Sequence, residues 1–311
     1  MAQFRIDGFA IVVGAAGGIG REVVLTFAEA GAKGILLADI NFEAVAQVAD
    51  QSKALASNPN YRCISTVVDV TDVASVDALV NLAKAQFDRV DYCINAFGVD
   101  VASYVPFDET DPDDFDRVLG INTKGVFLVT RAVAKAMQSQ EPASADLGRH
   151  GRRDVGRGSI VNVSSAMALV AVPTKAPYTT SKHAVTGITK AAVMDFKSAG
   201  IRINQVCPIW VKTPMFEEEC RRIPQTPQVI EKISPLKRAI EPDEVASACL
   251  YLCSPATVYL NGITLTMDSG LTVGPMIGYS SGFQSTRCFT GAPHLTSGTF
   301  QRNRTFQKNF F

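Results

Sequence analysis

The sequence lacks any excess of charge, because 30 Lys and Arg residues are balanced by 30 Asp and Glu residues. Surfaces that bind nucleic acid or anionic membranes usually carry a strong field of one sign, so we expect neither kind of partner. No apolar run reaches the length that spans a membrane. The residues from Met1 to Asp7 lead directly to an apolar stretch, so we also expect no signal peptide.

Metal-ligating residues are scarce or dispersed. The three histidines, at positions 150, 183 and 294, share no spacing typical of a metal site, so we expect no bound metal. The seven cysteines form an odd, scattered set at positions 63, 93, 207, 220, 249, 253 and 288. This pattern indicates reduced thiols and a cytoplasmic location instead of a disulfide framework.

The sequence does have a large apolar fraction, 47% of 311 residues, arranged in alternating strand-like and helix-like segments. The predicted strands cover 10–13, 34–38, 64–68, 91–94, 159–163, 201–206 and 263–266. The predicted helices cover 18–30, 41–56, 73–87, 112–138, 177–198 and 242–253. Such alternation indicates an α/β fold, a doubly wound parallel sheet of seven strands with helices on both faces. Ligands of such sheets bind beyond the carboxyl ends of the strands.

A glycine-rich turn follows the first strand. Gly14, Gly18 and Gly20 stand between the apolar run 10–13 and a helix-like segment that begins near Arg21. Glycine lets the backbone approach a pyrophosphate closely, and a helix N-terminus offers free N–H groups and the positive end of its dipole. The turn therefore predicts a dinucleotide-binding loop, and an ordinary strand-to-helix turn is the alternative.

Asp39 ends the second predicted strand, about twenty residues after that loop. An acid at this place can bind the hydroxyls of an adenosine ribose and repels a 2′-phosphate, so it favours NAD(H). Arg21 favours NADP(H) instead, since a cation just past the loop can contact its 2′-phosphate.

Tyr178 and Lys182 are four residues apart in a helix-like run, so their side chains share one face. A cation beside a phenol lowers its pKa, which turns tyrosine into an acid/base near neutral pH. The pair alone also occurs by chance. It gains weight from three further signals, which are the glycine-rich turn, the segment Asn95-Ala96-Phe97-Gly98 after a strand-like run, and Ser165 at the end of an apolar strand. Asn122, in a helix-like segment, is the remaining polar candidate.

Together these motifs resemble the short-chain dehydrogenase/reductase (SDR) family, over the chain from Phe9 to Gly274. The resemblance implies one Rossmann-like domain over residues 1–274 that binds a nicotinamide cofactor. It implies Tyr178 as the catalytic acid/base and Lys182 as the residue that lowers its pKa and binds the nicotinamide ribose. Ser165 would polarise the substrate oxygen, and Asn122 would hold a proton-relay water.

The resemblance also implies cofactor contacts at the strand ends. Besides Asp39 and the Tyr178–Lys182 pair, they are Gly14, Gly18, Ile19, Gly20, Asp69, Val70, Asn95, Ala96, Gly98, Pro208, Val211 and Thr213.

The implied activity is reversible hydride transfer between the cofactor and a carbonyl or secondary alcohol carbon of a small molecule. The candidate substrate contacts are apolar and favour a hydrophobic or polycyclic metabolite. They are Met167, Ile209, Trp210, Met215 and Phe216. Two alternatives stay open, namely an enzyme of different outcome on the same fold, such as a dehydratase or an epimerase, and a non-catalytic cofactor-binding sensor. By resemblance we expect a homodimer or homotetramer.

Three segments fall outside the regular alternation. Residues 140–157 are rich in Arg and Gly and predict a mobile loop, with a contact for an acidic group of a partner subunit as the alternative. Residues 212–236 resemble the substrate lid of the family. The extension 275–311 has no acidic residue and six phenylalanines, which leaves a disordered end, an arm packed on its own or a neighbouring subunit, and a recognition element as alternatives.

Overall fold

The computed structural model describes residues 4–274. The strands of this part of the chain are β1 (Phe9–Val13), β2 (Gly34–Asp39), β3 (Arg62–Val67), β4 (Tyr92–Asn95), β5 (Ala143–Asp146), β6 (Arg152–Gly156), β7 (Gly158–Val163), β8 (Ile201–Pro208) and β9 (Thr264–Met267). Seven of them form one sheet in the order β3-β2-β1-β4-β7-β8-β9, and every pairing within it is parallel. The predicted fold class is therefore confirmed, and each predicted strand lies within two residues of its observed bounds.

The helices of the described residues cover both faces of this sheet. They are α1 (Gly18–Glu29), α2 (Phe42–Leu55), α3 (Val73–Phe87), α4 (Pro112–Leu119), α5 (Val126–Gln138), α6 (Ala176–Phe196), α7 (Pro214–Arg222), α8 (Thr226–Ile233) and α9 (Pro242–Cys253). None of them is both long enough and apolar enough to cross a bilayer.

The two faces are visible in the central strand β1, whose side chains alternate between two buried clusters. Ala10 and Val12 pack in a cluster that includes residues of α1 and α9. Ile11 and Val13 pack in a second cluster that includes residues of α3 and α5. A strand that is buried on both faces requires apolar residues at every position, which explains the continuous run Ala-Ile-Val-Val in the sequence.

The predicted helix 112–138 is interrupted. Residues Gly120–Gly125 form a π-helical turn between α4 and α5, and Asn122 is fully buried within it. The sequence analysis predicted one continuous helix and missed this turn. Such turns are frequent at functional sites.

The segment 140–157, predicted as a mobile loop, contains an antiparallel hairpin of β5 and β6 that the sequence analysis did not predict. Its strands are mostly exposed, so they carry no apolar alternation from which they could be predicted. The predicted lid 212–236 contains α7 and α8. The predicted extension 275–311 lies outside the described residues.

Candidate active site

The glycine-rich turn after β1 is held by close backbone contacts. The Gly14 N–H donates a 2.8 Å hydrogen bond to the Ala38 carbonyl at the end of β2. Gly14 has a φ of +84°, and a Cβ there would lie 2.7 Å from the carbonyl carbon of Ala96. A side chain at Gly20 would overlap the Gly14 carbonyl. The turn therefore requires glycine at both positions, and it leaves the N-terminus of α1 open to a ligand.

Asp39 connects this turn to the end of β2. One carboxylate oxygen accepts a 3.1 Å hydrogen bond from the Ala16 N–H, and the other accepts one of 3.1 Å from the Asn41 N–H. Arg21 is engaged elsewhere, since its guanidinium donates to Gln51 of α2 and pairs with Glu22. The Asp39 carboxylate thus faces the glycine-rich turn, while the Arg21 guanidinium is bound to other side chains.

A groove with a volume of about 580 Å³ runs along the carboxyl edge of the sheet. It brings together most of the predicted cofactor contacts, which are Gly14, Gly18, Ile19, Asp39, Asp69, Val70, Ala96, Gly98, Tyr178, Lys182 and Thr213. Val13, Ile40, Val68, Phe97 and Met215 add apolar surface to the same groove. The glycine cradle and the acid at one end, with the phenol and the ammonium at the other, fit a dinucleotide.

Four predicted cofactor contacts lie apart from the groove lining. Gly20 packs against Gly14, and Pro208 is buried at the end of β8. Val211 is buried and bridges Ile240. Asn95 is fully buried as well, as described next.

Asn95 belongs to a buried polar network under the groove. Its amide donates to the Asn162 side chain at 2.8 Å and to the Thr130 hydroxyl at 3.3 Å. Asn162 in turn donates to the Thr189 hydroxyl at 2.9 Å. These bonds join β4, β7, α5 and α6, so the side chain of Asn95 connects the elements that carry the site instead of facing a ligand.

Tyr178 and Lys182 lie on the first two turns of α6 and meet at the inner end of the groove. The Lys182 Nζ is 5.4 Å from the centre of the Tyr178 ring and 3.4 Å from the Val163 carbonyl oxygen at the end of β7. Ser165 follows the same strand, and its side chain is close enough to the Tyr178 phenol to lower the pKa of that phenol. The predicted catalytic serine, tyrosine and lysine are therefore adjacent.

The pKa of Tyr178 is raised in the chain by itself. Burial raises it above the ordinary value, and the Asp100 carboxylate raises it further. The Ser165 side chain acts in the opposite direction, and Glu219 and Cys207 add to the increase. Burial has the largest effect because it disfavours the charged phenolate. The role of Lys182 in lowering this pKa stays a prediction.

Burial also disfavours the charged form of Lys182 and lowers the pKa of its ammonium to about 8. The charges of Cys207 and Asp100 oppose this shift. A group with a pKa of about 8 exchanges its proton near physiological pH, so Lys182 can take part in proton transfer as well as carry charge.

Asn122 is fixed by its own hydrogen bonds. Its carbonyl oxygen accepts from the Val99 N–H at 2.9 Å, and its amide donates to the Val99 carbonyl and to the Ser181 hydroxyl. It lies near Lys182, because a Cβ at Gly98 would lie 3.2 Å from the Asn122 carbonyl oxygen and 3.4 Å from the Lys182 Nζ. The side chain is thus used to connect the π-helical turn to α6 and to the segment after β4.

The predicted substrate contacts differ in exposure. Met215 lines the groove and is 38% exposed, while Met167, Ile209 and Phe216 are half-buried. Trp210 is buried. Met215 and Phe216 belong to the first turn of α7, and the Thr213 hydroxyl caps this helix by accepting from the Phe216 N–H at 3.3 Å.

Sequence reasoning missed a charged cluster beside Tyr178, which we call the lid ion cluster. It consists of Lys175, Asp100, Glu219 and Tyr104. The Lys175 Nζ lies 2.9 Å from the Asp100 carboxylate and 2.9 Å from the Glu219 carboxylate. It also lies 5.1 Å from the centre of the Tyr104 ring and 5.6 Å from that of Tyr178. Its members come from three separate segments of the chain, so no local pattern could have joined Lys175 to Asp100 and Glu219.

Within residues 4–274, no three His, Cys, Asp or Glu side chains are grouped so that they could hold a metal ion.

Comparison with known proteins places the chain in a family. A family model described as enoyl-(acyl carrier protein) reductase matches residues 14–272. The chain is 39% identical over 270 residues to the short-chain dehydrogenase anuF of Penicillium roqueforti, covering 86% of this chain and 97% of that protein. It is 33% identical over 273 residues to a D-threitol dehydrogenase of Mycolicibacterium smegmatis, covering 87% and 95%.

Solved structures support the same family. The crystal structure of a levodione reductase superposes with a TM-score of 0.76 at 29% identity, covering 87% of this chain and 98% of that one. The matches in sequence and fold span the whole region that carries the groove, the Tyr178–Lys182 pair and Ser165. The chain therefore belongs to the short-chain dehydrogenase/reductase family of NAD(P)-dependent oxidoreductases.

Proposed function

We propose that this protein is an NAD(H)-dependent oxidoreductase that interconverts a carbonyl group and a secondary alcohol on a hydrophobic or polycyclic small molecule. The observation that carries the proposal is the meeting of Tyr178 and Lys182, with Ser165 beside the phenol, in a groove that also contains the glycine cradle and Asp39. When bound in this groove, the nicotinamide cofactor donates or accepts the hydride.

The chain supplies orientation and a proton. In the direction of reduction, the Ser165 hydroxyl donates a hydrogen bond to the substrate carbonyl oxygen. Tyr178, which is kept protonated by its raised pKa, gives that oxygen a proton. Lys182, with a pKa lowered to about 8, is placed to replace the proton on the phenol. Asn122 contributes by holding the π-helical turn against α6 beside Lys182.

The preference for NAD(H) over NADP(H) is supported by Asp39. Its carboxylate lines the groove and accepts from the Ala16 N–H of the glycine loop. A 2′-phosphate next to it would be repelled. Arg21, the residue that could offset this repulsion, is paired with Glu22 and Gln51.

The substrate class is supported by the apolar side chains of the lid. Met215 and Phe216 project from the first turn of α7, and Met215 lines the groove that contains Tyr178. Apolar walls with a few placed polar groups are typical of sites for hydrophobic ligands. The cellular setting that we propose is cytoplasmic, with the protein acting as a homodimer or homotetramer and without nucleic-acid or membrane partners.

The test is a screen of ketones and secondary alcohols with NADH, NADPH and their oxidised forms, followed by Tyr178→Phe on any substrate found. We expect the rate to fall by roughly 10²–10⁴, as is usual when a positioned acid/base is removed. Cofactor binding should persist, since the phenylalanine keeps the ring. Cofactor binding without turnover across the panel would favour the sensor. Label from NADH that fails to appear in the product would favour the dehydratase or epimerase.

A further inference from the structure

We propose that Lys175 is a positioning residue that holds the lid helix α7 closed over Tyr178 through its ion pair with Glu219. This inference rests on the proposed function only in taking Tyr178 as the reactive group. The contacts themselves belong to the described structure and can be tested without a substrate.

Helix α7 has little else to hold it. None of its nine residues is buried, and Met215 in its first turn is 38% exposed. Its remaining polar contacts with the loop after β4 are those of Arg222, which donates to the carbonyl oxygens of Val101 and Ala102. A helix without a buried apolar face depends on polar contacts for its position, because packing supplies most helix stability in proteins.

The lid ion cluster is divided between a fixed half and a movable half. Asp100 belongs to the fixed half, since its carboxylate accepts from the Val101 N–H, the Tyr104 hydroxyl and Lys175. Glu219 belongs to the lid, and among the described residues its carboxylate is paired with Lys175. Opening the lid therefore separates one contact, Lys175 to Glu219, and leaves the rest of the cluster intact.

The three charged side chains are largely shielded from water, at 7% exposure for Lys175, 12% for Asp100 and 14% for Glu219. In such surroundings an ion pair is stronger than at the surface, and a carboxylate left without its cation is strongly disfavoured. Removing the Lys175 charge would place two carboxylates against each other with no cation between them. The lid would then relieve the repulsion by moving away.

The position of Lys175 in the chain connects the lid to the reactive group. It immediately precedes α6 and stands three residues before Tyr178. Its ammonium lies 5.6 Å from the centre of the Tyr178 ring, so the side chain that holds the lid is next to the phenol that the lid would shield from water.

The experiment measures hydrogen exchange of the backbone amides at residues 215–222, in the purified full chain with and without NADH. We expect Lys175→Met to raise their exchange at least about tenfold over wild type. A change of this size corresponds to about 1.4 kcal/mol in the opening equilibrium. Exchange in α9 should stay unchanged, which shows that the fold is intact. Glu217→Gln is the matched control for the Glu219→Gln change, because both replace a glutamate of α7, and the exposed position of Glu217 should leave the exchange near the wild-type level.

The second variant distinguishes an effect of the Lys175 and Glu219 charges from a general loss of structure. In the Lys175→Met background, Glu219→Gln removes the uncompensated carboxylate but does not restore the ion pair, so we expect exchange at residues 215–222 to fall only part of the way to wild type. If Lys175→Met does not fold, Glu219→Lys sets two cations against each other and should open the lid in the same way.

The proposal is overturned if Lys175→Met exchanges like wild type or like Glu217→Gln. It is also overturned if the added Glu219→Gln fails to reduce the exchange. A protein that turns over no carbonyl compound but shows the expected exchange would refute the proposed function and leave the role of Lys175 standing.

Discussion

Gly20 approaches Gly14 so closely that a methyl group on Gly20 would overlap the carbonyl oxygen of Gly14. The Gly14 N–H is hydrogen-bonded to Ala38, so the backbone that would have to move is tied to β2. We expect Gly20→Ala to lower the free energy of unfolding by about 2 kcal/mol, or the Tm by about 4–8 °C, and to weaken NADH binding. Thermal unfolding and NADH titration would measure both effects.

The matched control is Gly17→Ala in the same turn. Gly17 has an extended backbone with a φ of −167°, and a Cβ there would meet nothing within 4 Å. An alanine at such a place reduces the freedom of the unfolded chain, so the Tm should stay the same or rise slightly. Equal losses in the two variants would show that the turn does not depend on the Gly20–Gly14 contact.

A second prediction concerns Asn95, whose side chain the structure assigns to the buried network with Asn162 and Thr130. We expect Asn95→Ala to lower the free energy of unfolding by about 2–3 kcal/mol, because it leaves buried polar partners with fewer bonds. The dissociation constant of NADH should change by less than about threefold, since a side chain that does not face the groove contributes no more than about 0.6 kcal/mol to binding. Urea unfolding and fluorescence titration would measure the two quantities.

Asn162→Ala is the comparison for this variant, because Asn162 lies in the same network and should give a similar loss of stability. The two losses should also be less than additive in the double variant, since both remove the same bond. A selective loss of NADH affinity in Asn95→Ala would instead show that the Asn95 side chain contributes to cofactor binding.

The sequence predicted the parts of the fold that repeat a strong local pattern. The run Ala-Ile-Val-Val in β1 is apolar at every position because helices cover both faces of that strand. Tyr178 and Lys182 could be paired because helical spacing alone places them on one face. The hairpin at 143–156 was missed because its strands are short and exposed, so their residues follow no apolar alternation.

The lid ion cluster was missed for a different reason. Lys175 is separated from Asp100 by 75 residues and from Glu219 by 44. Each of the three resembles an ordinary surface charge until the sheet brings the loop after β4, the start of α6 and α7 together. The effect of burial on the Tyr178 pKa was missed likewise, because burial is a property of the whole fold and not of a four-residue spacing.

A third prediction separates the two roles of Asp39, which are to hold the loop through the Ala16 N–H and to repel a 2′-phosphate. Asp39→Asn keeps an acceptor oxygen and removes the charge. We expect it to raise the preference for NADPH over NADH roughly tenfold, or by about 1.4 kcal/mol. Asp39→Ala removes both functions, so it should shift the preference in the same direction and weaken the binding of both cofactors. If the ratio of kcat/KM with NADPH to kcat/KM with NADH stays unchanged in both variants, Asp39 does not determine the choice of cofactor.

The last prediction follows from Lys182, whose pKa is lowered from 10.5 to about 8 by burial. Below pH 8 both the folded and the unfolded chain hold the proton, and folding then bears the full penalty of burying the charge. Between pH 8 and 10.5 the unfolded chain holds the proton and the folded chain does not, so this group makes stability rise with pH. Lys182→Met removes the penalty and should stabilise the protein below pH 8, by up to about 3 kcal/mol for a shift of this size.

The measurement is urea unfolding of Lys182→Met and wild type at pH 7, 8, 9 and 10. The stability difference between the two proteins should be largest at pH 7 and should shrink steadily toward pH 10. Cys207, whose pKa is raised to about 11, interacts with Lys182, so both proteins carry Cys207→Ser to keep the titration of this thiol out of the difference. Lys190→Met, at an exposed position of the same helix, should show no such trend. A difference that stays constant with pH would mean that Lys182 is charged in the folded protein throughout this range, and its part in proton transfer would have to be abandoned.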